Sequence, residues 1–116
     1  MTKCERGDVA LVWFPNSDQR TVKVRPALVV QADPLQTGIP QVIVAMLTSN
    51  LQRRGHPSRV FIAAESPQGK VAGIRMDSVM MADNIATIHE EAIAKVIRRL
   101  NPMSSVEDAL RHTLAL

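Results

Sequence analysis

Two short apolar runs dominate the first half of the chain, at residues 27–30 and 42–47. Both are aliphatic, bounded by turn residues and too short for a typical globular helix, so each predicts a buried β-strand. If the two strands pair antiparallel, the start of the first lies beside the end of the second. Arg25 and Thr48 then meet at one edge of the sheet, where a cation and a hydroxyl are suited to binding a phosphate.

Further apolar stretches of similar length lie on both sides of this pair. Turn residues separate them at intervals of about 8 to 12 residues, a spacing typical of a small barrel or sandwich. We therefore predict a mainly β domain spanning residues 1–116, with about five to seven short strands. The additional strand candidates are residues 9–14, 60–63, 71–74, 78–81 and 85–88.

The C-terminal part of the chain changes period. Four apolar residues fall at i, i+3, i+4 and i+7, which predicts one face of a helix; they are Ile93, Val96, Ile97 and Leu100. Glu90 and Glu91 lie in the first turn of this helix and Arg98 and Arg99 in its last, as the helix dipole favours. Ser104 and Glu107 form a capping-box pattern, which predicts a second helix over about residues 105–115.

Composition indicates a globular domain without a membrane segment. Of the 116 residues, 46% are hydrophobic and 22% are charged, which is ordinary for such domains. No apolar run approaches the roughly 18 residues of a membrane helix. The polar N-terminus lacks the apolar core of a signal peptide, so we expect a cytoplasmic protein. Cys4 is the only cysteine, which excludes an internal disulfide and a cysteine-built zinc site.

Positive charge is concentrated in one segment. Residues 20–59 contain six lysines and arginines against one acid, Asp33, which gives this segment a charge of +5. Because the whole chain carries +3, the remaining residues carry −2. This asymmetry predicts a face that binds a polyanion. The alternative from the same residues is a solvated basic surface.

Histidine and metal chemistry have little support. His89 and His112 lie in or beside predicted helices, far along the chain from the basic loops, and only His56 falls in such a loop. An imidazole acid–base pair is therefore disfavoured. The acidic residues are not clustered as a two-metal nuclease requires, so we expect no metal and no cofactor.

The order of short motifs resembles the MazF/PemK family, the toxin components of bacterial toxin–antitoxin modules. The motifs are Gly7-Asp8 before the first strand, Phe14-Pro15 at its end, Arg25-Pro26 at the start of the second and Thr48-Ser49 at the end of the third. Residues 78–88, followed by the predicted helix, also resemble the second half of that family. Each motif is weak alone, but this order and spacing are fairly specific.

The resemblance implies an SH3-like barrel with C-terminal helices and a homodimer. It also implies a metal-independent endoribonuclease toxin that cleaves single-stranded RNA at short sequences, leaving 2′,3′-cyclic phosphate and 5′-hydroxyl ends. The catalytic arginine and threonine of the family fall here on Arg25 and Thr48. A cognate acidic antitoxin is the expected partner, docking on an apolar groove and the loop 15–24. The toxin–antitoxin complex is expected to bind its operator DNA.

Polar loops beside the catalytic pair supply candidate substrate-binding residues, namely Gln19, Arg20, Lys23, Ser49, Asn50, Arg53 and Arg54. Those that follow the third strand offer hydroxyl, amide and guanidinium groups to phosphates or bases. Trp13 or Phe14 can stack a base, whereas core packing is the expected role of Phe61.

The loop 16–23 departs from the family pattern. Many members carry a glycine-rich loop with a glutamate before the arginine, but here there is no glycine, and Arg20 stands near the place of the acid. The loop resembles a branch with an aspartate after the F-P motif, here Asp18. The recognised bases and the proton-transfer groups therefore stay open. From the residues alone, Arg25 can instead pair with Asp18, and Thr48 can bond its own backbone.

Two other functions compete with RNA cleavage. One is a non-enzymatic poison of DNA gyrase on the same type of fold, but relatives of that kind end in an aromatic-bearing helix. This chain ends Thr113-Leu114-Ala115-Leu116. The other is a catalytically silent barrel that binds nucleic acid, which differs from the enzyme by binding RNA without cutting it.

Overall fold

The computed structural model describes residues 4–15, 18 and 20–116 of the chain. Over these residues the strands are β1 (Asp8–Pro15), β2 (Val22–Val29), β3 (Gln41–Thr48), β4 (Arg59–Ile62), β5 (Ser78–His89) and β6 (Ile93–Arg99). The α-helices are α1 (Pro67–Val71) and α2 (Ser104–Leu114), and 3-10 turns cover Leu51–Arg53 and Glu90–Ala92.

The six strands form one antiparallel sheet of order β4-β5-β3-β2-β1-β6. This confirms the predicted mainly β fold with five to seven strands. The 3-10 turn at Glu90–Ala92 joins β5 to β6, although these strands lie on opposite sides of the β3-β2-β1 core of the sheet. The sheet therefore curls toward a barrel, although β4 and β6 stay unpaired edges in the described part of the chain.

Side chains alternate between two buried clusters on the two faces of the sheet, as a strand requires. The helix-side core combines strand residues with α2; it includes Leu28, Ala45, Leu47, Val106 and Ala109. The barrel core contains strand residues alone, namely Ala10, Val12, Ala27, Val29, Val42, Val44, Met46 and Ile93. Because no helix contributes to the barrel core among its described members, curling of the sheet is what removes it from water.

The predicted helix over residues 93–100 is wrong, because this segment is strand β6 paired with β1. Two residues, Ala94 and Ile97, are skipped in the register with β1, which marks two bulges. A bulge moves the following side chains to the other face. Ile93 and Val96 accordingly pack at the barrel core, while Ile97 and Leu100 pack at the helix-side core. The two bulges thus give the apolar residues of this strand the spacing expected of a helix. The C-terminal region therefore contains one helix, α2, and not the two that were predicted.

Two local predictions near the helices also need correction. Residues 67–71 form helix α1, so the strand predicted over 71–74 is wrong. Helix α2 begins at Ser104 and its cap is Met103, without a side-chain hydrogen bond, so the predicted capping box does not form. Glu107 instead pairs with Arg6 at 3.2 Å and ties the helix to the N-terminal segment. Neither α-helix of the described chain is long and apolar enough to cross a membrane.

The two strands predicted over 78–81 and 85–88 are one strand, β5, with an interruption. Ala45 of β3 pairs with Ile85, but the next residue, Met46, pairs with Met81. Three extra residues, Ala82 to Asn84, are therefore accommodated in a bulge opposite a single step of β3. We call residues 82–84 the β5 bulge.

Candidate active site

Strand register brings Arg25 and Thr48 together. The strands β2 and β3 pair antiparallel with Ala27 opposite Met46, so the same register continued by two residues places Arg25 opposite Thr48. Ala27 and Met46 both face the barrel core, and alternation puts Arg25 and Thr48 on that same face. Both residues line the same two cavities. The predicted meeting of the two residues at one edge is therefore present.

Two cavities flank this pair and share Arg25, Leu47 and Thr48 as a common wall. The larger cavity, of about 580 Å³, opens on the helix-side core; its other lining residues include Leu11, Lys23, Ser49, Ile74, Arg75, Met76, Lys95 and Ile97. The smaller cavity, of about 370 Å³, opens at the end of the barrel core, and the rest of its lining is Phe14, Met46, Asn50, Arg53, Met81 and Asn84. No Asp or Glu lines either cavity among the residues described.

The loop after β3 is fixed by three consecutive hydrogen bonds between residues close in sequence. The Asn50 N–H donates to Thr48 Oγ1 at 3.1 Å, and the Gln52 N–H donates to Asn50 Oδ1 at 3.1 Å. The Arg53 N–H then donates to the Asn50 carbonyl at 3.1 Å. Thr48 thus bonds the neighbouring backbone, as the alternative interpretation anticipated, but only as an acceptor. Its own hydroxyl proton can still be donated to a second partner.

The loop between β1 and β2 is described only in part. Gln19 lies outside the described residues. Asp18 accepts hydrogen bonds from the N–H groups of Arg20 and Thr21 at 2.9 and 3.1 Å. These donors, Arg20 first, hold the pKa of Asp18 below its ordinary value because they favour the carboxylate. Arg20 is exposed and lines neither cavity, so its predicted place at the site is not seen.

Arg54 does not line either cavity. Its guanidinium carbon lies 5.8 Å from the ring centroid of Phe61, a cation–π distance. Phe61 itself is 42% exposed on β4, so its predicted core role is wrong. The other aromatics divide: Phe14 packs against the barrel core and lines the smaller cavity, while Trp13 is 49% exposed.

Two of the histidines contact each other away from Arg25 and Thr48. The rings of His56 and His112 lie edge to face with centroids 6.0 Å apart, although the sequence separated them. Neither lines a cavity that contains Arg25. His56 Nδ1 accepts the N–H of Ser58 at 3.0 Å. No group of three or more potential metal ligands occurs among the described residues.

Sequence reasoning missed four polar residues of the cavities: Arg75, Ser78, Asn84 and Lys95. Lys95 was hidden because residues 93–100 were assigned to a helix. Asn84 lies in the β5 bulge, which an apolar pattern cannot locate. Arg75 stands alone in a loop, and nothing in the sequence near it marks a site.

Comparison with known proteins identifies the fold and the family. Residues 5–114 match the family of PemK-like, MazF-like toxins of type II toxin–antitoxin systems. Endoribonuclease EndoA of Bacillus subtilis is 36% identical over 115 residues, covering 97% of this chain and 95% of that protein. Endoribonuclease MazF2 of Mycobacterium bovis is 30% identical over 105 residues, covering 88% of each.

A solved structure agrees with this fold. A mycobacterial endoribonuclease in complex with its cognate antitoxin superposes with a TM-score of 0.74 at 22% identity, covering 98% of this chain and 97% of that one. The sequence-based identification is confirmed, and the predicted endoribonuclease class agrees with the names of the relatives. On the strength of the family match over residues 5–114, this chain belongs to the PemK-like, MazF-like toxins of type II toxin–antitoxin systems.

Proposed function

We propose that this toxin is an endoribonuclease that cleaves single-stranded RNA without a metal ion, with Arg25 and Thr48 at the scissile phosphate. The relatives named as endoribonucleases support this enzyme class over the gyrase poison. The observation that carries the proposed site is the common wall, where a guanidinium and a hydroxyl stand between two cavities without a lining acid among the described residues. A phosphodiester lying on this wall meets the Arg25 guanidinium and the Thr48 hydroxyl, and no carboxylate among the described lining residues.

The chemistry uses the nucleophile that RNA carries. The 2′-oxygen attacks the adjacent phosphorus, its proton is removed, and the P–O5′ bond breaks as O5′ takes up a proton. The products are a 2′,3′-cyclic phosphate and a 5′-hydroxyl. The added negative charge in the transition state falls on the non-bridging oxygens, which Arg25 binds with two N–H groups. A guanidinium is always charged, so Arg25 stabilises charge and does not act as the base.

Thr48 complements the guanidinium as a neutral donor. Its oxygen accepts the Asn50 N–H, which fixes the direction of the hydroxyl at the end of β3. The hydroxyl proton then points to a phosphate oxygen, and a donor of this kind contributes roughly 3 kcal/mol to the transition state. The fixed backbone holds the hydroxyl in place before substrate arrives.

RNA binding draws on residues from both cavities. In the smaller cavity Arg53 neutralises a neighbouring phosphate, Asn50 offers its amide to a base, and Phe14 offers a ring for stacking. In the larger cavity Lys23 and Ser49 continue the strand path beyond the scissile phosphate. A single strand can pass the narrow wall, whereas a stacked duplex cannot present its bases to the cavities.

The antitoxin is inferred to place an acidic, amphipathic segment in the larger cavity. Apolar residues such as Leu11 and Ile97 line that cavity together with Lys23, Arg75 and Lys95, a combination that attracts acidic and apolar side chains at once. Such a segment covers the common wall and excludes RNA from it. The homodimer and the operator-bound complex remain predictions; exposed apolar side chains such as Trp13 and Met76, 49% and 65% exposed, support a protein interface.

Cleavage of end-labelled single-stranded RNA in EDTA tests the proposed function. We expect fragments with 5′-hydroxyl and 2′,3′-cyclic phosphate ends, and loss of cleavage for Arg25→Ala. Lys70→Ala is the matched control, because Lys70 is an exposed cation on α1 outside both cavities. RNA binding without cleavage by the wild type favours the silent barrel, and stalled gyrase complexes with intact RNA favour the poison.

A further inference from the structure

Arg59 and Asp83 form an ion pair behind the smaller cavity. Arg59 Nη2 donates to Asp83 Oδ2 at 2.8 Å, and Arg59 Nε donates to Asp83 Oδ1 at 3.4 Å. The third nitrogen, Nη1, donates to the carbonyl of Arg53 at 3.2 Å. One guanidinium therefore joins three segments that are separate along the chain: the turn after β3, the first residue of β4 and the β5 bulge.

Two of the three segments that the pair joins present a side chain to the smaller cavity. On one side, Arg53 is the last residue of the 3-10 turn Leu51–Arg53. Asn50 caps the start of this turn, and its N–H donates to the Thr48 hydroxyl oxygen. On the other side, Asn84 follows Asp83 within the β5 bulge. Both Arg53 and Asn84 line the cavity, whereas neither Arg59 nor Asp83 does.

This pair differs from an ordinary surface pair. Its side chains are 22% and 32% exposed, against 60% and 81% for the Arg111–Asp108 pair on α2. Its contact is two-pronged and links distant segments, so it fixes a geometry that flexible exposed pairs do not. Because the Arg53 carbonyl is bound, the backbone from which the Arg53 side chain extends is fixed relative to the sheet.

We propose that Arg59 and Asp83 are positioning residues that hold the Arg53 side chain at the mouth of the smaller cavity for a substrate phosphate beside the cleaved bond. The inference rests on the proposed function, since it concerns the RNA that this site binds. It assigns no contact between the pair and RNA. The pair acts through Arg53, whose guanidinium is free to reorient if the turn is released.

The test is a double-mutant cycle read by substrate affinity. Asp83→Asn removes the charge of the pair at constant shape. We expect it to raise the dissociation constant for a single-stranded RNA blocked by a 2′-deoxy group at the cleaved nucleotide roughly tenfold, and KM in parallel, with kcat nearly unchanged. Arg53→Ala keeps the bound carbonyl and removes only the side chain. In that background Asp83→Asn should cost less than about twofold.

Several outcomes would overturn the inference. Effects of Asp83→Asn and Arg53→Ala that multiply would show that the pair acts independently of Arg53. A tenfold effect of the control Asp108→Asn would show a general charge effect. As a second route, Arg59→Gln should reproduce the loss. The exchange Arg59→Asp with Asp83→Arg should not restore the affinity, because it removes from position 59 the guanidinium that donates to the Arg53 carbonyl, and full restoration would contradict the inference. A wild-type protein that neither binds nor cleaves RNA would contradict the proposed function itself. A fully active wild type combined with an Asp83→Asn variant of unchanged RNA affinity would contradict only the positioning role.

Discussion

The two cavities on either side of Arg25 and Thr48 are built in different ways. The smaller one is walled by a hydrogen-bonded turn and by the β5 bulge, so its polar groups are fixed by backbone contacts. The larger one is lined by apolar side chains with Lys23, Arg75 and Lys95 among them. Fixed polar groups suit the positioning of a nucleotide, and an apolar cleft with cations suits an acidic protein segment. In the proposed function, the common wall makes RNA and the antitoxin segment mutually exclusive.

The largest expected effect is at the common wall. Arg25→Ala and Thr48→Ala should each lower the single-turnover cleavage rate by about a hundredfold or more, because each removes a contact that strengthens as charge builds on the phosphate. The double variant should lose much less than the product, since the two act on the same oxygens. Quenched-flow assays with saturating RNA measure the rate. A loss confined to affinity would place the reacting phosphate elsewhere.

The smaller cavity should respond through binding. Arg53→Ala should weaken RNA binding by roughly tenfold and flatten the log–log salt dependence by about 0.7, the slope of one contact to a single strand. The cleavage rate at saturation should change little. Fluorescence anisotropy over a salt series gives both numbers. Arg54→Ala is the matched control, because Arg54 lies on Phe61 outside the cavity and should leave the slope unchanged.

The larger cavity should respond to the antitoxin more than to RNA. Lys95→Glu and Arg75→Glu place an acid where an acidic segment docks, and we expect each to weaken inhibition by the cognate antitoxin about tenfold. Cleavage of RNA without antitoxin should fall only severalfold. Titration of the cleavage reaction with antitoxin measures the inhibition constant. Arg111→Glu, on the exposed part of α2, should change neither quantity, and equal losses in both assays would remove the distinction between the cavities.

The smallest effect concerns stability. The side-chain hydrogen bond from Arg59 is the main cause that lowers the pKa of Asp83 below its ordinary value of 3.8. A lowered folded pKa adds stability above the unfolded pKa, and this stability is lost as the pH falls through the folded value. Because the pair is partly exposed, the gain is below about 1 kcal/mol. Urea unfolding of wild type and Asp83→Asn should therefore differ slightly at pH 7, and the difference should shrink as the pH is lowered below the ordinary Asp pKa of 3.8. A constant difference would contradict this.

Much of the candidate site was predictable because it depends on strand parity. The apolar runs that became β2 and β3 were visible in the sequence, and antiparallel pairing brings the start of β2, with Arg25, beside the end of β3, with Thr48. The predictions failed where a bulge interrupts the alternation of side chains along a strand. In β6, skipped residues gave a strand the spacing of a helix, and the β5 bulge hid Asn84 from any periodic pattern. The predicted place of Arg54 at the site is not seen for another reason: its guanidinium lies over the ring of Phe61, outside both cavities.

The β5 bulge has a consequence for how such a protein can diversify. Pairing resumes on both sides of residues 82–84. Ala82 is buried in the helix-side core, but Asp83 and Asn84 are exposed and belong to neither core, so changes at these two positions leave the strand register and both cores intact. The segment borders the smaller cavity through Asn84. Under the proposed function, substitution or lengthening at Asp83 and Asn84 would alter which nucleotide is accommodated while the proposed catalytic pair on β2 and β3 stays in place, so target preference and cleavage can change independently.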